Sequence, residues 1–143
     1  MANVMEDTIK QLYNLLWFCK KIQIPFEVYA FTSNFPRSYT PEGYIDAEKL
    51  YEPKDYLVAV DKYFSLMNIF TSKVRGRELE DQMLNIYNIV KSFRNYLGNR
   101  VVPVGMGLSG TPLNETIVAL HQILPQFQKQ NKLEKVNLSL IHI

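Results

Sequence analysis

Residues 105–115 read Gly-Met-Gly-Leu-Ser-Gly-Thr-Pro-Leu-Asn-Glu, "GMGLSGTPLNE", and the fold turns on how that stretch is read. Gly105, Gly107 and Gly110 have the G-x-G-x-x-G spacing of a dinucleotide-binding turn, in which a helix begins among the glycines and its N–H groups face a pyrophosphate. Pro112 decides against that start. Proline is accommodated in the first helical turn but deeper in it lacks a donor and clashes with the preceding turn. A helix that began near Gly107 would hold Pro112 in its interior. One that begins after Thr111 places Pro112 at the first helical position with Thr111 as N-cap. The strand before the glycines would have to be "VVPV", broken by Pro103. No Gly-Lys-Ser/Thr phosphate loop occurs. Two readings of the stretch remain. Thr111 is a plain helix cap, or its hydroxyl is an oxygen ligand for a hard divalent cation, with carboxylates supplied from elsewhere.

Outward from this stretch, the pattern predicts an α/β order. From Asn3 to about Lys21 the residues Ile9, Leu12, Tyr13, Leu15, Leu16, Trp17 and Phe18 recur at helical spacing, with Glu6 and Asp7 early and Lys20 and Lys21 late, as the helix dipole favours. A mostly buried helix is expected. "IPFEVYAFT" (24–32) reads as a strand beginning at Pro25. Residues 33–60, with Pro36, Pro41, Pro53 and Tyr39, Tyr44, Tyr51 and Tyr56, have no sustained period and are expected to form an ordered loop whose tyrosines pack or add contact area. Tyr63–Phe70 is a second strand candidate, and Leu79 to about Leu97 a second helix stopped by Gly98. A third helix follows Pro112, with Leu113, Ile117, Leu120, Leu124 and Phe127 toward the core. "VNLSLIHI" (136–143) reads as a buried strand.

Composition narrows function. The chain of 143 residues suits one domain, and 47% apolar with 21% charged residues describes a globular sequence. Its 16 basic and 14 acidic residues are interspersed, net +2, which gives no nucleic-acid footprint. The single cysteine, Cys19, forms no internal disulfide and makes no zinc spacing with His121 and His142. No signal pattern or long apolar run is present, so no membrane partner and a cytoplasmic location are expected. No Ser-His-Asp or paired-carboxylate arrangement can be argued, and an enzyme is not expected.

The element order together with "GLSGTPLNE" resembles the von Willebrand factor type A domain, in its intracellular bacterial and phage form, over essentially the whole chain. The resemblance implies a doubly wound, mostly parallel α/β sheet with helices on both faces. It also implies a metal-ion-dependent adhesion site that holds Mg²⁺ or Mn²⁺ and binds a carboxylate of a protein partner. Thr111 matches the second of the family's three ligand loops, supported by Gly107, Ser109 and Gly110. The Asp-x-Ser-x-Ser of the first loop and the Asp of the third have no counterpart here. Residues 1–143 are therefore expected to be a single partial domain of this type, trimmed at both ends and lacking the family's central first strand. In the intracellular branch partners are often AAA-type ATPase assemblies. The competing expectation is a nucleotide- or dinucleotide-binding enzyme that uses the Gly105–Gly110 loop.

Overall fold

A computed structural model describes residues 2–33, 39–40, 43–44, 64–94, 106 and 110–141. Helix α1 spans Ala2–Lys21, strand β1 Glu27–Ser33, β2 Tyr39–Thr40, β3 Gly43–Tyr44, β4 Phe64–Thr71, helix α2 Gly76–Arg94 and α3 Leu113–Asn131. The chain divides into two compact units. One comprises Met1–Tyr29, Asn68–Val102 and Asn137–Ile143; the other comprises Ala30–Met67 and Pro103–Val136.

The first unit is organised by helical periodicity. On α1, Ile9 and Leu16 are buried and Leu12, Tyr13 and Cys19 partly so, a stripe at the three- and four-residue spacing of one helix face. On α2 the same spacing buries Leu79, Met83 and Val90. Phe26 and Phe70 complete the core with Leu16, Leu79 and Met83, and Phe70 is 1% exposed. Its ring meets that of Tyr13 edge-on, with centroids 5.7 Å apart at 82°, the geometry favoured by the ring quadrupoles. The Tyr13 hydroxyl donates to the Met83 carbonyl. Farther along the helix pair, the Tyr87 hydroxyl donates to Glu6 Oε1 at 2.9 Å, and Lys10 Nζ lies 3.0 Å from the same oxygen. Glu6 is thus a partnered group, 13% exposed, rather than the solvated acid its place early in the helix suggests; Asp7, at 72%, is solvated.

The end of α1 has a local cause. Gln23 takes a left-handed conformation, φ 60°, while the Gln23 N–H donates to Lys20 O and the Ile24 N–H to Cys19 O at 2.9 Å. That pair of bonds satisfies the last carbonyls of the helix and turns the chain into the strand. Helix α3 closes in the same way, with Lys132 at φ 54° and the Leu133 N–H bonded to Gln128 O at 3.0 Å.

The doubly wound parallel sheet expected from the sequence is not formed by the described residues. Strands β1 and β4 make a two-stranded sheet, and β2 and β3 a separate antiparallel ladder that pairs Tyr39 with Tyr44 and Thr40 with Gly43. At the start of β1 the Phe26 carbonyl accepts from the N–H of Ser72, just past the end of β4, and Ser72 Oγ accepts from the Phe26 N–H. Start beside end means that β1 and β4 run antiparallel, whereas a doubly wound sheet needs parallel neighbours joined by crossover helices. The described residues form a small mixed α/β arrangement of three helices with short antiparallel ladders. The expected last strand is also absent from residues 136–141: Asn137–Ile141 are all exposed and belong to no described ladder. A run with no pairing strand gains neither ladder bonds nor burial to hold it extended. Two helices are more exposed than expected. Leu15, Trp17 and Phe18 of α1 and Leu113, Ile117 and Val118 of α3 face solvent, and the only buried residue of α3 is Thr116. The end of the second helix beyond Arg94, Gly98, and Tyr51 and Tyr56 lie outside the described residues.

Burial raises the Tyr13 phenol from its ordinary 10 to about 12. A phenol harder to ionise in the fold than in the unfolded chain stabilises the fold fully below pH 10 and loses that contribution as pH rises toward 12. Tyr13→Phe is therefore expected to lower unfolding free energy by about 1 kcal/mol at neutral pH and to flatten its decline above pH 10. Urea titrations of both proteins from pH 8 to 11.5 check this; parallel declines would contradict it.

Candidate functional site

The start of α3 lies on a shallow, open cleft of about 360 Å³ lined by Ser33, Gly110, Thr111, Pro112, Leu113, Asn114 and Glu115, all in the second unit. Ser33 is the last residue of β1; the others are consecutive. Gly110 determines the approach of the chain. Its φ is +49°, and a Cβ built there would lie 2.8 Å from Ser33 Cβ and 3.4 Å from the Ser33 carbonyl oxygen. Both the left-handed backbone and the space against β1 therefore require glycine.

The sequence places Thr111 as N-cap; the structure does not. Pro112 occupies the cap position with φ −76° and ψ 71°, and no side chain caps the helix. Proline sits one residue earlier than the first helical position because the chain needs a tight turn there: the Leu113 N–H donates to Thr111 O at 2.8 Å. Pro112 O then receives both the Thr116 N–H at 3.1 Å and the Thr116 hydroxyl at 2.8 Å. Thr116, 3% exposed, turns its polar group back onto the helix, which lets it be buried. Thr111 itself is exposed at the cleft. Gly105, Gly107 and Ser109 lie outside the described residues, so only Gly110 and Thr111 of the sequence-defined site can be placed. Helix α3 begins after the glycines, at Leu113, as the position of Pro112 requires and unlike a dinucleotide turn.

The structure adds Ser33, Asn114 and Glu115 to the site. Asn114 and Glu115 stand within the stretch that singled out Thr111. Nothing local announced Ser33, which reaches the cleft only through the position of β1. Together the cleft offers two hydroxyls, one amide and one carboxylate. Mg²⁺ or Mn²⁺, implied by the resemblance, asks for near-octahedral oxygen coordination anchored by carboxylates. Among the described residues no three His, Cys, Asp or Glu side chains converge on a common point. The described lining, with a single carboxylate, does not by itself make a divalent-ion site.

Cys19 and His121 are not among the described residues that line this cleft. Cys19 is a free, half-buried thiol packed against the core of the first unit. His121 is exposed on α3, and His142 lies outside the described residues. A polar cluster does form at the start of β1, where Glu27 accepts from the Tyr29 hydroxyl at 2.5 Å and from Lys73 Nζ at 3.2 Å. Burial, reinforced by the Glu27 carboxylate, raises the Tyr29 phenol. This cluster ties β1 to the turn after β4. None of the described helices is long and apolar enough to cross a membrane.

Two outcomes test the cleft. Gly110→Ala is expected to destabilise the protein by about 1–3 kcal/mol; Ser33→Gly in the same chain should recover only the steric part, leaving the cost of the left-handed backbone. Chemical denaturation of the single and double variants measures both. Millimolar Mg²⁺ or Mn²⁺ is expected to leave the melting temperature unchanged, since a ligand that binds the native state would raise it. A rise abolished by Thr111→Ala would restore the metal reading.

Comparison with protein-family models, with curated proteins and with solved structures found no match to this chain.

Proposed function

We propose that the protein is a non-catalytic protein-interaction module whose contact surface is the outer face of α1. The reading is carried by one observation: Val4, Leu15, Phe18 and Ile22 are 58, 52, 57 and 46% exposed and fall within about 60° of one another around the helix axis. The opposite side of α1 already holds the core residues Ile9 and Leu16. A helix that is apolar on both sides is ordinarily covered on both sides, and grouped exposed apolar side chains on a folded surface mark contacts with other molecules.

Trp17, 43% exposed, stands about 100° around the helix from Phe18, outside this face. Lys20 Nζ lies 5.7 Å from its ring centroid, a cation–π contact that restrains the indole. The matching occupant is an apolar helix face of another polypeptide. The interaction half of the adhesion-domain expectation is retained in this reading, while the cation is left out because the described residues of the cleft near Thr111 supply a single carboxylate.

The test is site-specific photocrosslinking in the source cell, with a benzophenone amino acid in place of Phe18 or, as an exposed control on α2, of Glu80. Adducts to polypeptide are expected from position 18, absent from position 80, and lost when Leu15→Glu is added. Equal adducts at both positions, or none at position 18, would sink the proposal.

A further inference from the structure

We infer that the polypeptide covering α1 is a second copy of this chain, packed antiparallel across a two-fold axis near Asn14. This rests on the reading of the α1 face as an interaction surface and names its partner. The argument comes from how charge is distributed beside the apolar face.

Asp7 and Lys21 both flank that face and are exposed. From the helical rise and repeat they lie about 21 Å apart along the axis and about 40° apart around it. The acid stands near the beginning of α1 and the lysine at its end. A helix with acid at one end and base at the other, on the same flank, complements a copy of itself in one orientation only. Antiparallel pairing sets Asp7 of each copy against Lys21 of the other, twice by symmetry, whereas parallel pairing groups the acids at one end and the lysines at the other and makes neither contact. Asp7 has an ion-pair contact within its own chain, to Lys10 at 3.8 Å, and that lysine is more closely engaged by Glu6 at 3.0 Å. The Asp7 carboxylate is therefore weakly held and open to a second cation.

The same axis orders the apolar groups. Leu15 lies next to the axis and meets the centre of the second helix, while Phe18 lies close to Gln11, whose methylenes and neutral amide can accept a ring. A near-balanced net charge of +2 leaves little overall repulsion between copies. Twofold, isologous contacts of this kind are the commonest form of soluble assembly.

Sedimentation velocity of the full chain over a range of concentrations is expected to show a monomer–dimer equilibrium. Asp7→Lys alone and Lys21→Asp alone should each weaken the dimer about tenfold, because each creates two like-charge contacts across the axis. The double variant Asp7→Lys/Lys21→Asp should recover most of the loss, which a merely local effect of either residue would not do. Phe18→Glu should give monomer with an unchanged circular dichroism spectrum, since the residue lies outside the core. A monomer at every concentration overturns the inference. So do charge reversals whose effects add instead of cancelling. If the chain is monomeric while position 18 crosslinks to a different polypeptide, the second copy is wrong and the interaction surface stands; a monomer without any adduct removes both.

Discussion

Phe70 is the residue on which the first unit depends. Its ring is 1% exposed in a cluster that draws Leu16 from α1, Phe26 from the approach to β1, and Leu79 and Met83 from α2. Each of those elements supplies one or two members of the cluster. Dispersion and burial are thus concentrated where a strand residue meets two helices, and a gap there would be felt by all of its neighbours. Tyr13 adds direction to this packing. Its ring rests against Phe70 and its hydroxyl reaches the Met83 carbonyl, so one side chain fixes both the spacing and the rotation of α1 against α2. The Tyr87–Glu6 bond fixes the pair at a second point.

Two points of attachment determine which side of α1 faces out. Around the helix, the positions that meet the cluster are Leu12, Tyr13, Leu16 and Cys19, and a rotation that buried Phe18 would withdraw Tyr13 from Phe70. The exposed apolar face is therefore a consequence of the core and not a loosely packed alternative to it. The Glu6 network works in the same sense. The Lys10 ammonium is held above its ordinary range, chiefly by its hydrogen bond to Glu6, and the carboxylate is committed to Tyr87 and Lys10 on the inward side.

Much of the element order was legible from periodicity. The three helices and the strands β1 and β4 lie where three-and-four or β-branched patterns predict them, and Pro112 correctly excluded a helix that starts among the glycines. The direction of the sheet was not legible. A short apolar run such as "YFSLMNIF" reads alike in a parallel or an antiparallel setting, and the bonds that decide the matter join Phe26 to Ser72, 46 residues apart. The run 136–143 has strand-forming residues, yet strand formation needs a partner edge, which a single segment cannot reveal. At the cleft the need for glycine at position 110 was visible as a loosened loop, while its cause, the closeness of Ser33, was not. The Thr111 cap failed for a local reason: the turn closed by the Leu113 N–H shifts the helix start by one residue, and a one-residue shift exchanges a hydroxyl cap for a proline.

The two apolar sides of α1 differ in what they do for the fold. Leu12, Tyr13 and Leu16 make the contacts that place the helix on the Phe70 cluster, and Leu15, Phe18 and Ile22 take no part in it. Helix propensity does not require bulky apolar groups at the outer positions either, since Lys, Glu or Gln would serve as well in an exposed turn. Within a single chain, then, the outer residues add exposed apolar surface and little packing. Their favourable free energy becomes available only when water is removed from both that face and a matching one. A surface that contributes little inside the molecule and much between molecules has the energetic character of an interface, and the charges at the two ends of α1 give that interface an orientation.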